Sequence, residues 1–329
     1  MKAFLFSIPK LVPTPFHYRH SYFRDLPTTY AAAPSKTHNI FLSRYIKVEN
    51  STMATSSTKT VPLYQKDGTL HTHATTISAI SPLAALPPET QSLFKATESS
   101  SEEPYIITTP ETIFHAQGGG QPSDTGTMTL ATNESQNPVF TVQSVRASPP
   151  AILHYGTFSS AHRFPLNAPV TQNVDPGPRL LHSRLHTGGH ALGLAVMSLL
   201  KSSPGLLPSD LKEGKASHAP GTASVEFLGA IPGAAKQAIQ DAVDALVGRD
   251  LPVSIHFVDE REAVGRCGVV AEGVKGGEDG VRLVEIEGAG AYPCGGTHVG
   301  RLKEVGRVLV KGIKRQKGVS KVSYDVVDV

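Results

Sequence analysis

A chain of 329 residues has room for about two domains of roughly 100–200 residues each. Its charged fraction of 18% lies below the usual ~25%, and 30 glycines with 25 prolines make it rich in loops, which excludes a coiled coil and a fully disordered chain. No apolar run approaches the ~18–20 residues that span a bilayer, so no membrane partner is expected. Two cysteines, Cys267 and Cys294, cannot build a disulfide scaffold, and a reducing, cytoplasmic setting follows.

The net charge of +3 is unevenly placed. Residues 1–52 carry seven basic side chains against Asp25 and Glu49, which leaves the remainder with 24 basic and 26 acidic residues. This leader is poor in acids and rich in Arg, Ser, His and Tyr, as a mitochondrial transit segment is. Prolines such as Pro9, Pro13, Pro15 and Pro27 interrupt the amphipathic helix such a segment forms, and a start at Met53 is the alternative. Both readings exclude 1–52 from the fold.

Residues 53–174 read as strands between Ser, Thr, Pro and Gly, with Pro104–Thr109 and Val139–Val145 as examples and Lys95–Glu103 as a surface loop. The pattern changes at Asp175. Leu181, Leu185, Leu192, Ala195, Val196 and Leu199 predict a helix over Leu180–Leu200 that Pro204-Gly205 stops. A strand over Thr222–Leu228 follows, then an amphipathic helix over Ala234–Val247 capped by Gly248. Val253–Val258, Val281–Glu287, Val308–Ile313 and Val319–Val326 complete the strands. Residues 175–329 are thus expected to form an α+β domain, one long helix on a mostly antiparallel sheet.

Three constellations carry chemistry. His182, His186 and His190 recur at four-residue steps on the long helix, and residues i and i+4 share a face ~5–6 Å apart. Eight residues climb about 12 Å, so only one pair can grip a single ion. Gly188 and Gly189 remove side chains between His186 and His190, which is expected to leave space beside that pair. Cys294-Gly295-Gly296-Thr297-His298 can aim a thiolate and an imidazole at one point, because its glycines fold tightly. Together the halves make a mixed N/S set that suits Zn²⁺. No Glu follows His186, so a metallopeptidase would lack its general base. The third is Gly118-Gly119-Gly120-Gln121-Pro122-Ser123-Asp124-Thr125-Gly126, whose consecutive glycines let backbone N–H groups approach a ligand; it matches neither a Walker A loop nor a dinucleotide fingerprint. Cys267 has no sequence partner and reads as a small core residue.

In this order and spacing, Thr112-Ile-Phe with the glycine run, His186-Thr-Gly-Gly-His190 and Cys294-Gly-Gly-Thr-His298 resemble the editing module of alanyl-tRNA synthetases, and most closely its freestanding AlaX-type form. The resemblance covers roughly Tyr105–Val326, including Val174-Asp175, Arg179, Ser217-His218 and Val225-Glu226-Phe227; Gly188-Gly189 departs from it, where the family has Ala and a larger residue. It implies a translation-factor-like β-barrel over 53–174 ahead of a zinc-binding editing domain over 175–329. It implies a hydrolase that removes Ser or Gly from mischarged tRNA(Ala), with His186, His190, Cys294 and His298 as zinc ligands. Chain length leaves no room for an aminoacylation domain besides. His186, His190 and Cys294 would carry the chemistry. Thr112 and Gln121, by type and family position, would read the hydroxyl that separates Ser from Ala. Four protein ligands close a zinc site, so hydrolysis requires His298 to leave or coordination to expand to five. Eight basic residues between Arg301 and Lys321, among them Lys311, Lys314, Arg315 and Lys317, are the expected seat of the tRNA phosphates; no DNA partner is expected. Two alternatives remain: a tRNA-binding module with structural zinc, and a zinc hydrolase of another small ester or amide.

Overall fold

The computed structural model describes residues 59–94, 102–132, 137–267 and 275–328, which lie in one compact unit. The leader, Met53 and most of the Ser-rich loop lie outside the described residues.

The first half runs β1 (Val61–Pro62), β2 (Thr72–Thr76), β3 (Ala79–Pro82), α1 (Pro88–Gln91), β4 (Tyr105–Thr108), β5 (Glu111–Thr112), β6 (Gly126–Leu130), β7 (Val139–Ser148), β8 (Ala151–Phe158) and β9 (Pro169–Val174). β1 and β5 form a short parallel pair, and seven strands form an antiparallel sheet ordered β2-β9-β6-β7-β8-β4-β3. Its interior holds Ile77, Ile107, Ile113, Phe114, Met128, Phe140 and Val170, all fully buried. The expected closed barrel is not seen: no ladder joins edge strands β2 and β3. Those edges are consecutive in sequence, and the chain passes between them at Ile77 and Ser78, whose N–H groups bond Ala168 on one side and Thr108 on the other. A bent backbone, not a strand pair, spans the seam.

The second half runs α2 (Pro176–Ser202), β10 (Lys212–Ser217), β11 (Ser224–Leu228), α3 (Lys236–Gly248), β12 (Val253–Val258), α4 (Glu260–Cys267), β13 (Val281–Ile286), β14 (Gly290–Pro293), β15 (Arg307–Gln316) and β16 (Val319–Val327). These strands make two antiparallel sheets, β10-β11-β16-β15 and β12-β13-β14, where the sequence suggested one. α2 and α3 bury Leu185, Leu192, Val196, Ile239 and Val243 against Val225, Phe227, Val308 and Val322. At about 25 cal/mol per Å² of apolar surface, this shared core is what holds α2 on the sheet. Close approach depends on Gly188, where a Cβ would come within 3.2 Å of Val308 Cγ2 and Val326 Cγ1. The space expected beside that glycine is therefore filled by the valines of β15 and β16. Cys267 ends α4, half-buried against Ala263, Val281 and Leu283, and burial pushes its thiol up.

Candidate metal centre

α2 starts where the glycine-rich segment ends. Arg179, buried one turn into the helix, forms an ion pair with the equally buried Asp124 and donates to the carbonyls of Gly68 and Ile113, both at 2.6 Å. The second Asp124 role is to accept His115 N–H at 2.6 Å. The glycine run is thereby fixed over the middle of α2. Gly119 and Gly120 have φ of +57° and +81°, and a Cβ on Gly120 would fall 2.5 Å from the Ala216 carbonyl of β10. These glycines thus serve contact with the protein's own backbone: Gly120 O accepts His218 N–H at 2.8 Å.

The turn delivers Gln121 to the helix. His186 Nδ1–H donates to Gln121 Oε1 at 2.7 Å; the same oxygen accepts Thr297 N–H at 3.0 Å, and Gln121 Nε2 donates to Thr297 Oγ1 at 2.9 Å. One buried amide thus orients an imidazole of α2 and pins the Cys294–His298 loop. The loop closes on that ring because residue 296 is glycine; a Cβ there would lie 2.3 Å from His186 Nδ1. His186 Nε2 and His298 Nε2 each stand 3.3 Å from Cys294 Sγ. His298 Nδ1–H is held by Thr187 Oγ1 at 3.0 Å, the hydroxyl that also accepts Val299 N–H. Ligand-type atoms of His186, His190, Cys294 and His298 all lie within 4.8 Å of one another. His182, one turn earlier, is outside the group and sits near Asp124 and Arg179.

This donor set fits Zn²⁺. Bonds of ~2.3 Å to sulfur and ~2.0–2.1 Å to nitrogen put tetrahedral N···S edges near 3.5 Å, against the 3.3 Å observed. Burial first, then the neighbouring imidazoles, hold His186 well below the ordinary histidine range; burial followed by neighbouring charges does the same for His190 and His298. All three are neutral, ready donors near pH 7. Burial pushes the Cys294 thiol up, with the Gly296 N–H and the Arg282 guanidinium pulling it back; a divalent cation removes that proton outright. Two of the imidazoles carry the orienting hydrogen bonds expected of ligands, while His190 Nδ1 is buried without a partner among the described residues.

Beside the quartet lies a cavity of about 200 Å³ lined by Gly119, Gly189, Glu213, His218, Tyr292 and Gly295, besides ligand side chains. His218 stacks on His186, ring centres 4.1 Å apart. Tyr324 OH donates to Leu185 O at 2.8 Å, so His218 Nδ1–H donates to that hydroxyl at 2.7 Å and Nε2 keeps its lone pair. Burial holds His218 near pKa 4, so the ring stays neutral. A Cβ on Gly189 would fall 2.4 Å from His218 Cε1; the space expected beside the His186/His190 pair is this cavity, with the His218 ring in its wall against Gly189. Sequence reasoning gave His218, Glu213 and Tyr292 no role, and no spacing signal connects them to the motifs. A larger hollow of about 670 Å³, between α2, α3 and the start of β15, holds no histidine or cysteine, and Arg184 pairs there with Asp328 and Arg307 with Asp244.

Thr112 is not brought to this cavity. It is fully buried in the first half, its hydroxyl donating to His154 Nε2 at 2.7 Å and accepting Phe114 N–H at 3.1 Å. His154 Nδ1–H in turn donates to Ile107 O at 3.0 Å. The Thr112 O–H and one lone pair are thus engaged within the first half. Among the basic residues, Arg301, Arg307 and Lys311 pair with Asp250, Asp244 and Asp325. Lys314, Arg315, Lys317 and Lys321 are exposed and make no ion pair among the described residues. Lys317 and Gly318 form the two-residue turn of the β15–β16 hairpin, both with positive φ.

Residues 281–322, which contain the Cys294–His298 loop and the basic hairpin, match the family model described as threonyl and alanyl tRNA synthetase second additional domain. The alanyl-tRNA editing protein AlaX-M of Methanosarcina barkeri is 26% identical over 241 residues, 71% of this chain and 94% of that protein. The chain is related to the AlaX-type editing proteins. The chain is also similar to alanine–tRNA ligases, at 28% identity over 222 residues for Thermotoga petrophila and 29% over 218 for Methanopyrus kandleri, 64% and 65% of this chain. The chain spans under a quarter of each ligase, 23% and 22%. With the AlaX-M protein the similarity extends across nearly all of that relative. Among the described residues no helix is long and apolar enough to cross a membrane.

Proposed function

We propose that this protein is a zinc-dependent aminoacyl-tRNA deacylase that hydrolyses the ester of mischarged Ser- or Gly-tRNA(Ala), in a cytoplasmic setting. The observation that carries the reading is the quartet His186, His190, Cys294 and His298 converging within 4.8 Å beside a small cavity, in a chain related along most of its length to an alanyl-tRNA editing protein. Zinc held there would supply Lewis-acid polarisation next to the scissile ester.

The chain's own residues account for the rest. Gln121 and Thr187 hold His186 and His298 in the ligand tautomer. His218 presents an unprotonated Nε2 at the cavity, a hydrogen-bond acceptor for water or a substrate hydroxyl. A site that accepts a hydroxyl discriminates against the analogue that lacks it, which is the Ser/Ala problem. Lys314, Arg315, Lys317 and the part-engaged Lys311 would meet the acceptor-stem phosphates. Lys311 and Lys314 line one hollow at the surface of β15 and β16.

A zinc closed by four side chains is also the structural pattern, and that favours the second reading, a tRNA-binding module without hydrolysis. Deacylation of Ser-, Gly- and Ala-charged tRNA(Ala), with and without a chelator, decides. The proposal expects Ser or Gly release that the chelator abolishes, with Ala-tRNA(Ala) spared. Tight tRNA binding with no release of any amino acid establishes the second reading; release of Ala at an equal rate overturns the editing role.

A further inference from the structure

Glu213 on β10 is the one acidic group among the residues lining the cavity beside the quartet. Its Oε2 accepts the Tyr292 hydroxyl at 2.7 Å. No group donates to Oε1 among the described residues, and no Lys or Arg pairs with the carboxylate. The fold makes room for it: a Cβ on Gly193 of α2 would lie 2.6 Å from Oε1 and 2.7 Å from Oε2, so only glycine admits the carboxylate at this turn. Tyr292 fixes the pair in turn, packed on His190 with ring centres 4.5 Å apart. Burial raises the Glu213 carboxyl to about 7, against the pull of the Tyr292 hydroxyl, its one donor among the described residues; a cation brought to Oε1 would hold the group ionised.

An aminoacyl ester carries that cation, since its α-ammonium is one carbon from the scissile carbonyl. We infer that Glu213, positioned by Tyr292 and admitted by Gly193, binds the α-ammonium of the aminoacyl group and so orients the ester towards the His186/His190/Cys294/His298 quartet. The inference rests on the editing reading. It also selects against uncharged acyl groups, because none could satisfy Oε1 with a charged donor.

The test uses the zinc-loaded full chain and two non-hydrolysable probes, amide-linked 3′-seryl-adenosine and its des-amino counterpart. Calorimetry on the wild type is expected to favour the amino probe by about 10–100-fold, the range of a charge-assisted hydrogen bond. Glu213→Gln keeps the shape and the Tyr292 acceptor; it should bring the two probes within about 3-fold of each other while zinc content and melting temperature stay at wild-type values. Deacylation of Ser-tRNA(Ala) should fall in parallel. A wild type that deacylates Ser-tRNA(Ala) yet binds both probes equally overturns the inference alone, as does a Glu213→Gln variant that keeps the preference. A wild type that neither deacylates nor binds either probe overturns the editing reading and this inference with it.

Discussion

Replacing Gln121 by Met strips the acceptor shared by His186 Nδ1–H and Thr297 N–H and the donor to Thr297 Oγ1. Both stranded N–H groups are buried, and an unsatisfied buried donor costs about 1–3 kcal/mol. Part of that is recovered if His186 turns away, but turning moves Nε2 off its 3.3 Å approach to Cys294 Sγ. Loss of an orienting partner of this kind lowers metal affinity by about 10–100-fold. Zinc affinity near neutral pH, measured by competition with a chromophoric chelator, should fall by that factor. The metal-free melting temperature should drop by about 4–8 °C for a loss of about 2 kcal/mol. Gln121→Glu keeps both acceptor contacts and gives up only the N–H to Thr297, so its zinc affinity should stay within about 3-fold of wild type. Equal zinc affinity in the Met variant and the wild type would refute the claim that Gln121 sets the ligand geometry.

Thr112→Val should act on stability and not on selectivity. It strands His154 Nε2 at a cost of about 1–3 kcal/mol, and the Ser/Ala deacylation ratio should not move. His115 and His154 are held near pKa 4 chiefly by burial, well below the ~6.5 of an unfolded chain. Their contribution is complete above pH 6.5 and is lost as pH falls towards 4, about 3 kcal/mol for each histidine. Urea unfolding between those pH values should show this slope, and the apolar pair Thr112→Val/His154→Leu should flatten it by about 1.4 kcal/mol per pH unit; an unchanged slope removes His154 from the account. Charge reversal at Lys314 and Arg315 should raise KM for mischarged tRNA and reduce the slope of log K against log salt by about 1–2, the loss of two phosphate contacts. No change in either would leave these residues as solvated surface.

Several of the elements marked in the sequence have one buried face, while β13, also marked, is buried at every position but Glu285. α3 alternates Ile239, Val243 and Leu246 inward, and β16 alternates Ser320, Val322, Tyr324 and Val326. β8, buried along its whole length, carries no such alternation, and β10 buries none of its residues fully and has a register shift between Glu213 and Ala216. That irregular strand is the one that brings Glu213 and His218 to the cavity. The quartet was legible because two ligands sit at helical spacing and two flank a glycine loop. The cavity's other wall was not, because it depends on a strand with no periodic signal. Gly188 and Gly189 were read together as leaving space; Gly189 does line the cavity, but at Gly188 the missing side chain is filled by its neighbours Val308 and Val326. Thr112 and Gln121 look equivalent in sequence; their partners separate them, one tied to the buried His154 of the first-half sheet and the other to a candidate ligand.

The dependence of the quartet on the first half can be tested where no ligand is touched. Asp124 and Arg179 are both buried and ion-paired, and they join the end of the glycine-rich segment to the first turns of α2. Asp124→Ala leaves the guanidinium charged and buried with only the Gly68 and Ile113 carbonyls, and breaking one side of such a pair costs about 3–5 kcal/mol. The same change releases His115 N–H and with it the turn that carries Gln121. Stability and zinc affinity should therefore fall together, although Asp124 lies outside the quartet. Asp124→Asn, which retains acceptors for His115 N–H and Arg179, should recover zinc affinity ahead of stability, because the register of the turn returns before the charge is balanced. A stability loss of the expected size with zinc affinity intact in the Ala variant would mean that the ion pair holds the fold only, and that the His186 ring keeps its orientation without the segment that Asp124 anchors.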